Sequence, residues 1–297
     1  MPADIVPTQA APVEPSGGVI HDIGYQRYEG PRLGRGYAAR SLYVHSLRAA
    51  FGLGRSAKSK IFPWLVVALV FMIATVAVAV RGQSGTALLG YLQFTDTVSM
   101  PTLLFLAVVA PELVSRDLRA HVLPLYFSRP LSRSDYALTK LGAMTTAAWL
   151  LLASPQLLMF IGGVFSRKDG MSGLLDELHD FGQGVSYAAI AAVAFSALAV
   201  LLASLSSRRA VAAAVIAGVY LVTAPVAVVL ATLGGAIGKV SPVINPVTLI
   251  EGLERWLYGR NTGVDIGDYG VVYLAVAVVL LVAYVALLLA RYRKVAA

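Results

Sequence analysis

The chain of 297 residues contains no cysteine, which excludes disulfides, thiolate metal sites and cysteine nucleophiles. Charge is scarce as well: Asp, Glu, Lys and Arg make up 13% of the residues, against 58% that are hydrophobic. A soluble protein of this composition would have to hide too much apolar surface, so the sequence reads as a membrane protein. Histidine is sparse. His21, His45, His121 and His179 lie in four separate segments without a ligand partner at i+3 or i+4, so no histidine metal site is spelled out. G-x-S-x-G is absent, and neither a Ser/His/Asp arrangement nor a pair of intramembrane carboxylates has a candidate.

What the chain does have is apolar runs. Six are long enough to cross a bilayer, at about 61–80, 97–114, 141–165, 184–205, 210–231 and 270–290. The first begins at Ile61, too deep for a secretory signal peptide, and is expected to stay in the mature protein. Six spans put both ends on one side. Lys and Arg number 18 in the first 60 residues, the 115–140 loop, the 206–209 turn and the tail, but 6 in the alternate loops. The excess of basic residues on the cytoplasmic side of short loops then makes both termini cytoplasmic. The net charge of +8 is thus a topology signal and not a nucleic-acid footprint.

Ionisable groups are almost missing from the runs themselves, where Glu112 is the single acid or base. Ion-coupled carriers, proton pumps and voltage sensors need charge near mid-bilayer, so an ion relay through these spans is not expected. The runs offer Pro101, Pro111, Pro155 and Pro225 as kink sites, with Thr145, Thr146, Ser154 and Gln156 as neutral polar groups. If the protein transports, its driving force comes from outside its own spans. Small residues from Ala188 to Ala214 suit close helix packing.

Residues 1–36 are rich in Pro, Gly, Ala and Gln and lack apolar periodicity, as in a disordered or loosely docked tail; residues 37–297 form the six-span domain. From Tyr37, Val44, Leu47 and Phe51 share one helical face and Ser41, His45 and Arg48 the other. That pattern describes an amphipathic interface helix ahead of the first span, the alternative being a solvated linker. In the 115–140 loop, Glu112 and Arg116 stand four apart with the acid first, the favourable order for a helical pair. Ser132 and Asp135 form an S-x-x-D capping signature for the helix entering the third span. Between them Leu125, Tyr126 and Phe127 are too apolar for water alone and need a surface, either lipid headgroups or a partner protein.

On the outer side Asn245-Pro246 reads as an N-cap followed by proline at the first helical position. Val247, Ile250, Leu253 and Leu257 recur at helical spacing, with Glu251, Glu254 and Arg255 off that face and Gly259 as a stop. This short helix either lies on the outer surface or caps the bundle between the fifth and sixth spans. Gly234, Gly235 and Gly238 just before it permit a re-entrant backbone or a simple loop.

The stretch from Gly52 to Ser59, "GLGRSAKS", falls one residue short of the phosphate-binding pattern G-x-x-x-x-G-K-[ST]. Ala57 stands where the second glycine is needed, no strand pattern precedes Gly52, and a membrane span follows instead of a soluble helix. Arg55, Lys58 and Lys60 are better read as the positive flank of the first span, with Gly52 and Gly54 letting the chain bend into it.

The stretch from Pro111 to Met144, "PELVSRDLRAHVLPLYFSRPLSRSDYALTKLGAM", resembles the end of span 2, the cytoplasmic loop and the start of span 3 in bacterial permeases of the ATP-binding-cassette type-2 exporter family. The resemblance extends loosely over about 37–295. It implies an all-α membrane protein of six transmembrane helices, with an N-terminal interface helix, a cytoplasmic coupling helix between spans 2 and 3, and a short external helix between spans 5 and 6. It also implies a permease in the bacterial cytoplasmic membrane with no nucleotide site or cofactor of its own. ATP and Mg would be bound by a separate ATPase subunit, and a second permease chain, identical or related, would complete the path.

On that resemblance Leu125, Tyr126, Phe127, Arg129 and Arg133 seat in the ATPase, while Glu112, Arg116, Asp117 and Arg119 form a charged hinge. The partners implied are the ATPase, the second chain and membrane lipids. Two other readings stay open: an ATP-independent carrier or channel, and a non-transporting membrane scaffold. An apolar path suits lipids, hydrophobic drugs, polyketides or peptides without choosing among them.

Overall fold

A computed structural model describes residues 30, 33–54, 56–128, 130–166 and 170–294. Among the described residues there are twelve α-helices, one 3-10 turn and no strand. The six spanning candidates are α2 (Ala57–Ser84), α4 with α5 (Ser99–Leu113, Ser115–Arg119), α7 (Arg133–Ser166), α8 (Gly170–Leu205), α9 (Arg209–Ala231) and α12 (Gly270–Lys294). Helices satisfy their backbone polar groups internally, as a bilayer requires, and the chain is a multi-pass helical membrane protein. Most of the expected tail, 1–36, lies outside the described residues, as do Arg55, Arg129 and Arg167.

Most of these helices outrun the apolar stretches that announced them. Hydropathy ends where charged residues begin, but those residues are good helix formers and the turns continue. Arg81 is therefore the last-turn residue of α2 and Glu177 a buried residue of α8, where the sequence pattern placed loops. The second span is also assembled from pieces, α4 giving way to α5 at Val114, and a separate short helix α3 (Tyr91–Thr97) precedes it, breaking at Val98. Pro111 supplies no N–H to the turn before it, which weakens the helix just ahead of the second break.

The most buried of the spans is α8, which packs against α3, α4, α7, α9 and α12 through Ala188, Ala191, Ala192, Ala199 and Ala203. Side chains this small let neighbouring backbones approach. The apolar windows of α9 and α12 are mostly outward-facing.

Helix α1 (Arg35–Ala50) is present but turned from the expected face. Leu42, Ser46 and Ala50 are buried, Leu47 and Phe51 pack beside them, and Val44 is exposed. The rotation follows from polar contacts with α7. Tyr43 donates to Thr146 Oγ1 at 2.8 Å, and Arg35 makes two 2.6 Å bonds to Asp135. Asp135 also accepts from the Ser132 N–H at 3.0 Å while Ser132 Oγ accepts from the Asp135 N–H at 3.1 Å, a reciprocal capping box at the start of α7. Between α1 and α2 the chain turns through Gly52 at φ +69°, where a Cβ would lie 2.8 Å from the Ser59 carbonyl oxygen.

At the other end of the bundle the chain leaves α9, turns at Gly234, and folds back through α10 (Gly235–Val240) and the 3-10 turn Ser241–Ile244, which pack on α9. Then α11 (Pro246–Tyr258) starts at Asn245, whose Oδ1 accepts from the Val247 and Thr248 N–H groups at 2.8 and 3.3 Å. It ends at Gly259 with φ +67°. Its buried side is Leu249, Ile250, Leu253 and Glu254, against α8, α9 and α12, while Leu257 is exposed. The expectation had Leu257 inside and Glu254 outside. The helix caps the bundle, and a carboxylate is buried in the process.

Candidate functional site

The segment between spans 2 and 3 folds as two short helices, α5 and α6 (Leu123–Phe127), joined by His121 at φ +51°. Pro124 sits in the first turn of α6, where its missing N–H costs nothing. Leu123 and Leu131 are buried and pin both ends. The three apolar residues between them part company. Tyr126 and Phe127 lean on the buried ring of Tyr136, with centroids 5.5 and 6.1 Å away, and Tyr136 stacks in turn on Tyr292 of α12 at 5.2 Å. Leu125 points outward and is 68% exposed.

Arg133 bridges the segment to the last helix: its guanidinium lies 5.7 Å over the Phe127 ring and donates to the Arg293 carbonyl at 2.8 Å. The expected contact residue Arg129 lies outside the described residues.

The four expected hinge residues do not form one cluster: the two acids go to different neighbours. Glu112 pairs with Arg209 at the start of α9. Asp117 accepts from the Tyr136 hydroxyl at 2.7 Å and pairs at 2.8 Å with Lys140, itself only 3% exposed. Ser115, buried between them in sequence, donates to the Ala203 carbonyl of α8 at 2.8 Å. One short segment is thereby wired to α7, α8 and α9. Arg116 and Arg119 are exposed. Arg116 lines a groove of about 1020 Å³ between α1 and α5–α6, together with Arg40, His45, Arg48, Leu125 and Tyr126. The groove is open and rich in cations.

The opposite end of the bundle holds two polar clusters that sequence spacing did not disclose. In the first, Arg81 of α2 meets Glu177 of α8 through bonds of 2.8 and 2.6 Å, and the Tyr91 hydroxyl of α3 donates to the same carboxylate. Beside it Gln156 donates to Thr95 Oγ1 at 2.9 Å. In the second, Asp96 of α3 accepts from the Tyr187 hydroxyl of α8 at 2.7 Å and faces Arg260 at 3.6 Å, while Arg260 donates to Glu254 at 2.8 Å.

Burial first, and then the charge of Glu254, push the Asp96 carboxyl up to about 8. The same two causes push Glu251 up to about 7. The pairs that join α3 to α8, Tyr91 with Glu177 and Asp96 with Tyr187, are 86 and 91 residues apart, so no local motif could have announced them. Among the described residues no set of three or more His, Asp or Glu side chains is gathered as a metal site.

No protein-family model matches the chain, and no curated protein is significantly similar to it.

Proposed function

We propose that this chain is the permease subunit of an ATP-binding-cassette exporter of the type-2 kind, lying in a bacterial cytoplasmic membrane with both termini in the cytoplasm. A separate ATPase subunit binds ATP and Mg and docks on α5–α6. The observation that carries the reading is the form of that segment. Two short helices sit at the cation-rich end of a six-span bundle, held from behind by Tyr136 and presenting Leu125 beside a basic groove. A helix turn that only anchored in lipid would have no need of three separate polar ties to α7, α8 and α9.

In this reading ATP-driven closure of the ATPases moves α5–α6. The motion passes to α7 through Asp117 and Lys140, to α8 through Ser115, and to α9 through Glu112 and Arg209. Alternating access then follows from relative sliding of spans whose interiors carry few charges. A second permease chain supplies the other half of the path, and the outward apolar faces of α9 and α12 are available to it or to lipid.

The test is co-purification of the chain with an ATPase encoded beside it, comparing wild type with Leu125→Glu. The substitution lies on an exposed side chain, so folding is preserved while a docking surface is altered. Loss of the complex and of stimulated ATP turnover is expected. Unchanged assembly and turnover would overturn the proposal, and transport by the purified chain alone in liposomes would favour an ATP-independent carrier.

A further inference from the structure

The α11 end of the bundle gathers one buried carboxylate, Glu254, and two half-buried ones, Asp96 and Glu251, around few cations. Asp96 and Glu254 share one guanidinium, Arg260, and Glu251 stands one turn before Glu254 on the same helix. The cation on α11 itself, Arg255, is turned away to the Val264 carbonyl and Asp265. From α8 the facing titratable group is Tyr187, a neutral donor to Asp96; Tyr258 of α11 is engaged with Ser186.

Glu254 is 0% exposed and its Oε2 has no hydrogen-bond partner. Asp96 Oδ2 and Glu254 Oε1 both approach the same Arg260 nitrogen, Nη1, at 3.6 and 2.8 Å. A buried carboxylate oxygen without a partner is costly, and two carboxylates with one guanidinium leave a negative charge uncompensated. A single proton held by the pair cancels that excess charge.

We propose that Asp96 and Glu254 form a proton-binding site in which the pair takes up one proton from the adjacent aqueous phase and shares it beside Arg260. With the proton bound, α3 is held to α11 around Arg260 without excess charge, and to α8 through Tyr187. Release leaves two facing carboxylates held by one cation, and the junction of α3, α8 and α11 loosens. A metal ion is a poorer occupant, since Arg260 already fills the cation position. The site is independent of what drives the spans: it stands whether or not an ATPase docks at the other end.

The experiment is infrared difference spectroscopy on the full chain in lipid nanodiscs, titrated between about pH 5 and about pH 9, well above the ordinary carboxylate range. Wild type is expected to lose a protonated-carboxyl C=O band in that interval. Asp96→Asn and Glu254→Gln each abolish that component, Glu251→Gln leaves it in place, and Arg260→Gln moves its midpoint to higher pH because the competing cation is gone.

A band pattern in Glu254→Gln identical to wild type would overturn the site, as would complete loss of the titrating band in Glu251→Gln. If either carboxyl variant fails to fold, the Arg260→Gln midpoint decides, and no shift counts against the proposal.

Discussion

Arg81 and Glu177, 96 residues apart, meet in a two-pronged ion pair that ties the end of α2 to an early turn of α8, with Glu177 only 1% exposed. Removing one partner strands the other in a dry site, a cost of about 3 kcal/mol. Glu177→Ala is therefore expected to lower the thermal unfolding midpoint of the purified chain in detergent by several degrees. Arg81→Met combined with Glu177→Leu should recover much of that loss. A single variant as stable as wild type would show that the pair adds nothing.

Gly163 of α7 leaves room for that pair. A Cβ there would stand 2.3 Å from Glu177 Oε1 and 2.6 Å from Arg81 Nη1, so Gly163→Ala should disrupt it. In a double-mutant cycle the effects of Gly163→Ala and Glu177→Ala should fall well short of additive. Gly182→Ala, on α8 with nothing within 4 Å of its added Cβ, is the control and should be neutral or stabilising by about 0.5–1 kcal/mol.

Asn245 does two jobs. Its Oδ1 caps α11, and its Nδ2 donates to the Tyr220 carbonyl at 3.0 Å and to Thr223 Oγ1 at 2.9 Å on α9. Asn245→Ala should cost about 1–2 kcal/mol for the cap, with the lost bonds to α9 added to it. Asn245→Asp keeps the cap acceptor but loses both donors, so an intermediate midpoint is expected. Equal loss in the two variants would mean that the bonds to α9 carry the whole effect.

The pH dependence of stability has a definite sign. Burial raises the folded-state pKa of Glu251 from 4.5 to about 7, so in that interval the folded protein holds a proton that the unfolded chain has lost. Stability then falls as pH rises across the interval and levels off above it. Glu251→Gln should reduce the slope of the melting-temperature profile between about pH 4.5 and about pH 7, leaving the shallower decline that the raised Asp96 carboxyl contributes up to about pH 8. A profile that keeps its full slope in this variant would show that Glu251 is not the group responsible.

What could be read from the residues in order was whatever physics makes local. Six apolar runs became six long helices because a bilayer demands that length and leaves the backbone no other partner. The Ser132 and Asp135 box and the Asn245 cap were legible because a cap is completed within three residues. Tyr126 and Phe127 were legible as apolar residues needing cover, but not that Tyr136 supplies it.

Sequence by itself determined the spans, the caps, the end of the bundle that carries the cations and the absence of cysteine chemistry. Tertiary structure alone decided which way α1 and α11 face, where Glu254 and Glu177 are buried, and that Asp117 meets Lys140 while Glu112 meets Arg209. The reason is distance along the chain. A helix face with several small or half-polar residues can pack in more than one rotation, and a charge at a helix end counts as loop or core according to partners contributed by other helices. Those partners become neighbours only when the bundle closes.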